Sequence, residues 1–144
     1  MNTFIRVFVC LVIFGVTTYT SSAQNVTLTI KITGIEKLAG KVRVGIYNNA
    51  ANFPVEGKEL KHVIIDVTAK TLTCTFTVPA GYYAIAMYQD ENMDGEINKN
   101  FLGIPKEKFG FSNNIKPKLS APSFDETKIN LTKNMTIEIK LIDY

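Results

Sequence analysis

Oxygen-bearing side chains recur at every second position in one stretch of the sequence, DENMDGEIN at residues 90–98. Asp90, Asn92 and Asp94 have this spacing, Gly95 follows the third of them, and Asn98 completes the pattern D-x-N-x-D-G-x-x-N. Calcium takes about six to eight oxygen ligands from carboxylates, amides, backbone carbonyls and water. The spacing predicts a calcium loop in which Asp90, Asn92 and Asp94 are ligands. Glu96 would add its backbone carbonyl, and Asn98 would act through water.

The calcium loop is incomplete when it is compared with the helix–loop–helix motif. Phe101 stands where that motif has its last glutamate, so the expected affinity is weak, roughly 10⁻⁴–10⁻³ M. A carboxylate from outside the loop could complete the shell, and the candidates are Glu107, Asp125 and Glu126. Asp, Asn and Gly also form ordinary sharp turns. A solvated acidic turn is therefore the alternative.

Residues 101–114 are rich in aromatic and other apolar side chains but follow neither a strand period nor a helix period. Long irregular segments of compact domains are usually functional or disordered, and this one is too apolar for disorder. It is a candidate ligand platform. The platform residues are Phe101, Phe109, Phe111, Asn113 and Asn114. The alternative is a small satellite core that caps one end of the fold.

Enzymatic chemistry has few candidate residues here. His62 is the sole histidine, which excludes metal sites built from several imidazoles. Cys74 alternates with Leu72 and Phe76 and is predicted to be an inert core residue, although a Cys74–His62 dyad is conceivable. Asp90 and Asp94 could serve as an acid–base pair.

Alternating apolar and polar residues make up most of the remaining sequence, as in half-buried strands. The predicted strands are 25–33, 41–48, 62–67, 71–78, 82–89, 127–131 and 135–141. The strand at 82–89 is apolar on both faces, which is typical of a central, covered strand. No strand is predicted between 90 and 125. The pattern indicates an all-β fold, a single antiparallel β-sandwich of about seven strands with one long loop.

The first 23 residues have the composition of a signal peptide. Arg6 precedes an apolar run at 7–16, and Ser21 and Ala23 are small residues suited to a cleavage site. The run is shorter than the roughly 20 residues needed to span a bilayer. We expect a signal peptide at 1–23, an exported domain at 24–144, and no membrane-spanning segment after cleavage.

Charge and cysteine content narrow the function classes further. The formal net charge is only +3, and such a balance implies neither a nucleic-acid partner nor an acidic-membrane partner. The chain has two cysteines, and Cys10 falls inside the signal peptide. Cys74 then stays alone, and the exported domain cannot form an internal disulfide.

Three segments carry a family resemblance: PAGYYAIAMYQDENMDG, FLGIPKEKFGFSNN and APSFDE. With these segments the chain resembles small exported bacterial proteins grouped as domain of unknown function 2141. The resemblance implies a prealbumin-like or immunoglobulin-like sandwich. It implies no reaction, because the family is uncharacterised.

The sequence favours an exported, non-enzymatic β-sandwich that binds Ca²⁺ weakly at residues 90–98. It would bind a ligand or partner at the cell envelope, in the periplasm or outside the cell. Two alternatives remain. One is a small hydrolase-type enzyme that uses Asp90 and Asp94, and the other is a purely structural envelope protein.

Overall fold

The computed structural model of the protein describes residues 24–144, so the predicted signal peptide lies outside the described residues. The chain forms β1 (Asn25–Thr33), β2 (Lys41–Tyr47), β3 (Lys61–Asp66), β4 (Leu72–Pro79), β5 (Gly81–Asp90), β6 (Phe109–Phe111), the four-residue helix α1 (Phe124–Thr127), β7 (Ile129–Leu131) and β8 (Met135–Lys140). A 3₁₀ turn at Ser112–Asn114 follows β6. In this part of the chain, no helix is long and apolar enough to cross a bilayer.

The strands form two sheets. The first has the order β4-β1-β8; the second has the order β3-β2-β5-β6, with β7 paired to the start of β5. This confirms the all-β prediction, with eight strands rather than about seven. All strand pairs are antiparallel except β1 and β8, which run parallel with Ile30 opposite Ile137. The prediction of a wholly antiparallel sandwich is wrong at this pair. Side chains alternate in the same way in parallel and antiparallel strands, so the sequence pattern does not distinguish the two directions.

The core lies between the two sheets and is built by the alternation within each strand. In β4 the burial pattern alternates strictly, with Leu72, Cys74 and Phe76 buried and the threonines between them exposed. Apolar residues at alternating positions of the strands are buried there, among them Val26, Leu28, Ile30, Val44, Ile46, Leu72, Cys74, Phe76, Ile85 and Ile139. Ile137 is only half-buried, because β8 is an edge strand of the first sheet.

The prediction of no strand between 90 and 125 is wrong at β6. Its three residues are all buried, so the segment has no polar alternation from which a strand can be recognised. A Cβ added at Gly110 would lie 3.0 Å from the Ile139 side chain. Glycine therefore lets β6 approach β8 across the end of the sandwich.

Cys74 provides a test of the core. Its side chain is 7% exposed, and burial raises the pKa of its thiol from the usual 9.0 to about 11. Thiolate is the reactive form, so at neutral pH it is about a hundredfold scarcer than at an ordinary cysteine. We expect a thiol-reactive chromophore to label Cys74 slowly in the folded protein and rapidly in denaturant. Fast labelling without denaturant would show that the β4 register is wrong.

Candidate functional site

Asp90 ends β5 and organises the loop that follows it. The residue is 0% exposed, and its Oδ2 accepts hydrogen bonds from Arg43 Nε at 2.9 Å and from the Gly95 N–H at 3.0 Å. Its Oδ1 accepts from the Asp94 N–H at 3.2 Å. The hydrogen bond to Asp90 also raises the pKa of the Arg43 guanidinium. The carboxylate is therefore held by one ion pair and two backbone groups.

The side chains of Asn92, Asp94 and Asn98 converge on the solvent side of this loop. Asp94 Oδ2 accepts from Asn92 Nδ2 at 2.7 Å and from Asn98 Nδ2 at 2.8 Å. Asn92 Nδ2 also lies 2.9 Å from Asn98 Oδ1. Hydrogen bonds from Asn98, from the Glu96 backbone N–H and from Asn92 lower the pKa of Asp94. Three of the five predicted metal ligands thus face one another.

The other two predicted ligands are placed differently. Asp90 turns its carboxylate to Arg43, and Glu96 contributes a backbone N–H to Asp94 Oδ1 at 3.0 Å. Within residues 24–144, no group of three or more His, Cys, Asp or Glu side chains is arranged to hold a metal ion. A cation at this loop would therefore depend mainly on amide oxygens and on Asp94.

Glu107, predicted from the sequence as a possible calcium ligand from outside the loop, instead holds the loop by hydrogen bonds to its backbone. It is buried, and its two oxygens accept from the backbone N–H groups of Glu91 at 3.1 Å and Asn98 at 3.0 Å. Burial raises its pKa. Asp125 and Glu126 lie in α1, where Asp125 pairs with Lys128 and Glu126 completes a capping box with Ser123.

A cavity lies on the outer face of the second sheet, the face turned away from the core. One row across this sheet runs His62, Gly45, Ala86 and Phe111. The two central members are small, so the middle of the row forms a depression between larger neighbours. The cavity measures about 450 Å³.

Three irregular segments form the walls of this cavity: 54–59, 97–105 and 117–121. Most of the lining side chains are apolar. The lining residues with ionisable or hydroxyl groups include Arg43, Tyr47, Glu56, Glu59, His62, Tyr88 and Lys99. Burial, with the nearby charges of Glu59 and Glu56, raises the pKa of Tyr47 to about 12. The tyrosine is therefore a neutral hydroxyl at physiological pH.

Hydrogen bonds connect the cavity to the loop at 90–98. The Tyr88 hydroxyl lies 2.8 Å from Glu56 Oε1 and 3.0 Å from the Gly95 carbonyl oxygen. His62 Nδ1 lies 3.2 Å from Glu59 Oε1. Tyr88 therefore links the loop at 90–98 to segment 54–59 of the cavity wall through hydrogen bonds.

The residues of the predicted platform separate into three groups. Phe109 and Phe111 line the cavity and pack in an aromatic cluster with Tyr47 and Phe53. Phe101 is 95% exposed. The remaining two brace the fold: Asn113 donates to the backbone carbonyls of Glu126 and Lys128, and Asn114 donates to that of Glu138.

The structure does not bring the conceivable Cys74–His62 dyad together. Cys74 lies in the core between the sheets, whereas His62 borders the cavity on the outer face. The floor of the cavity, Gly45 and Ala86, was missed in the sequence. A glycine inside an alternating strand is a signal for close approach by another group, and here Glu59 and Tyr47 pack over Gly45.

The sequence model of a bacterial family, described as uncharacterized protein conserved in bacteria (DUF2141), matches residues 30–138. No curated protein and no solved structure matches the chain. The matched range contains most of both sheets, the loop at 90–98 and the cavity walls. The chain therefore belongs to the DUF2141 family.

Proposed function

We propose that this protein is an exported, non-enzymatic binding module that takes a small, mainly apolar molecule into the cavity on the outer face. The observation that carries this proposal is the cavity itself. Its volume of about 450 Å³ is in the usual range for ligand sites, roughly 300–1,000 Å³. Ligand sites are also mostly apolar with a few polar groups that fix orientation, and Tyr47, Tyr88 and Glu59 supply such groups here.

Binding is favoured over hydrolysis by the position of the two aspartates. A general base must reach the proton that it abstracts from the substrate. Asp90 is buried against Arg43, Asp94 is hydrogen-bonded to Asn92 and Asn98, and neither lines the cavity. The export proposal rests on the signal-peptide pattern of residues 1–23, which would put binding at the cell envelope, in the periplasm or outside the cell.

We further propose that Asn92, Asp94 and Asn98 bind Ca²⁺ weakly and so stiffen one wall of the cavity. Rotation of either asparagine amide by half a turn exchanges its NH₂ for its carbonyl oxygen. Oxygens would then face Asp94 at the positions where amide nitrogens now lie. Arg43 already neutralises Asp90, which supports weak rather than tight affinity.

The cavity proposal can be tested with a neutral probe, N-phenyl-1-naphthylamine, whose fluorescence rises in apolar surroundings. We expect the wild-type protein to bind it. Ala86→Phe should weaken binding about tenfold or more, because a steric cost of about 1.4 kcal/mol is enough for that change. The measurement is a fluorescence titration of both proteins, with melting curves to confirm that each is folded.

A matched control places the same side chain elsewhere. Thr75 is exposed on β4 of the first sheet, so Thr75→Phe adds the same aromatic ring far from the cavity floor. It should leave probe binding unchanged. Equal loss in both variants, or unaltered binding by Ala86→Phe, would contradict the proposed site.

A further inference from the structure

Three large apolar side chains project into solvent from two irregular segments. Phe101 is 95% exposed, Leu102 is 67% exposed and Leu119 is 96% exposed. Leu102 and Leu119 both line the cavity, so the two segments border the same mouth. Single exposed apolar residues are normal on protein surfaces. Three of them on adjoining loops form a small apolar projection that nothing in residues 24–144 covers.

Lysines flank both segments. Lys99 and Lys106 stand on either side of Phe101 and Leu102, and Lys118 directly precedes Leu119. Among the described residues, none of these three lysines takes part in an ion pair, whereas Lys108 pairs with Glu36 and Asp143. The apolar projection is therefore flanked by lysines that make no ion pair among the described residues. Hydrogen bonds from Ser123 lower the pKa of the Glu126 carboxyl, and Lys118 lies close enough to lower that pKa further.

We propose that this surface docks on a lipid bilayer with anionic headgroups. We name it the basic rim and define it as Lys99, Phe101, Leu102, Lys106, Lys118 and Leu119. Apolar side chains of an interfacial segment enter the boundary between headgroups and acyl chains. Lysines remain among the headgroups, where a negative surface potential attracts them.

A bilayer fits this surface better than a protein partner does. The centres of protein–protein interfaces are depleted of lysine and enriched in arginine. The charged residues of the basic rim are all lysines. Two acidic residues lie in the third segment of the wall: Glu56 accepts a hydrogen bond from the Tyr88 hydroxyl, and Glu59 Oε1 lies 3.2 Å from His62 Nδ1. They belong to segment 54–59, not to the two projecting segments.

The chain contains no tryptophan, which allows a direct test. Phe101→Trp places a single tryptophan at a 95% exposed position, where it should not disturb folding, and excitation at the red edge of its absorption avoids the tyrosines. Its emission should shift to the blue and intensify with vesicles that contain phosphatidylglycerol, and much less with phosphatidylcholine alone. Leu38→Trp is the matched control, because Leu38 is exposed but does not line the cavity. Its emission should stay unchanged.

Further variants in the Phe101→Trp protein separate the two components of docking. Lys99→Gln should weaken partition into anionic vesicles about fivefold, from the contribution of one lysine near such a surface. Leu119→Ser should weaken it about tenfold or more, because an apolar side chain is no longer inserted. Lys133→Gln is the charge control. Lys133 makes no ion pair within residues 24–144 and does not line the cavity. This variant should leave partition into anionic vesicles unchanged.

Three outcomes would overturn the proposal. The first is unchanged Phe101→Trp emission with anionic vesicles. The second is an equal response to phosphatidylcholine alone, because the lysines would then have no role. The third is a blue shift that depends on protein concentration but not on lipid, which would assign the basic rim to contact with a second copy of the chain.

Discussion

The variant Asp90→Asn is expected to lower the free energy of unfolding by roughly 3 kcal/mol. The carboxylate is fully buried and accepts hydrogen bonds from Arg43, Gly95 and Asp94. An asparagine has one oxygen and one NH₂ group, so one side of it would present a donor to another donor. Arg43 would also lose its counter-charge. Because Arg43 is 28% exposed, the loss should be near the lower end of the range for broken buried pairs, about 3–5 kcal/mol. Urea denaturation measures the change.

Two further variants test whether the ion pair is the cause. Asp94→Asn removes a solvent-facing aspartate from the same loop and should change stability far less in calcium-free buffer. Arg43→Met in the Asp90→Asn background should cost less than it does in the wild-type background, because residues that share an interaction are not additive. Full additivity, or a denaturation midpoint unaltered by Asp90→Asn, would contradict this role for Asp90.

Calcium at about 100 times its dissociation constant should stabilise the folded protein by about 2.7 kcal/mol. Binding to the folded state alone shifts unfolding by mass action, and for a domain of this size the melting midpoint should rise by several degrees. Asp94→Asn should abolish the rise, because it removes the carboxylate on which Asn92 and Asn98 converge. Melting curves recorded with about 10–100 mM calcium, which is about 100 times the expected dissociation constant of 10⁻⁴–10⁻³ M, and with chelator measure the effect.

Glu91→Gln is the matched control for the calcium experiment. Glu91 lies between Asp90 and Asn92 in sequence, but its side chain pairs with Lys37 at 2.7 Å. Most of the rise should remain in this variant. Magnesium should stabilise less than calcium, because it demands a tighter octahedral shell and loses its waters reluctantly. Identical wild-type melting curves in calcium and in chelator would leave DENMDG as an ordinary acidic turn.

Much of the scaffold follows from alternation in the sequence. The segment NVTLTIKIT predicts both the bounds of β1 and its buried face, since a strand with one covered face must alternate. β6 could not be predicted in this way, because Phe109, Gly110 and Phe111 are covered on both faces. Helix α1 had a readable start signal that was missed: Ser123 and Glu126 have the S-x-x-E spacing of a capping box.

Only the part of the candidate site that is formed by residues close in sequence could be predicted. The spacing of residues 90–98 identified the loop and the side chains that meet in it. The ion pair between Asp90 and Arg43 could not be predicted from the sequence, because the two residues are 47 positions apart. They meet only because of the register between β2 and β5. The cavity was missed for the same reason. Its floor is defined by Gly45 opposite Ala86, a cross-strand pair that no single segment reveals.

The parallel pairing of β1 with β8 has a consequence for how the chain folds. β1 is the middle strand of the first sheet, and its partner β8 is the last strand of that sheet in chain order. Leu28 lies opposite Met135 and Lys31 lies opposite Glu138, so this pairing joins residues that are 107 positions apart. Contacts of such long sequence separation slow folding. A growing polypeptide can therefore pair β1 with β4 early, but the other edge of β1 stays unpaired until β8 has been synthesised.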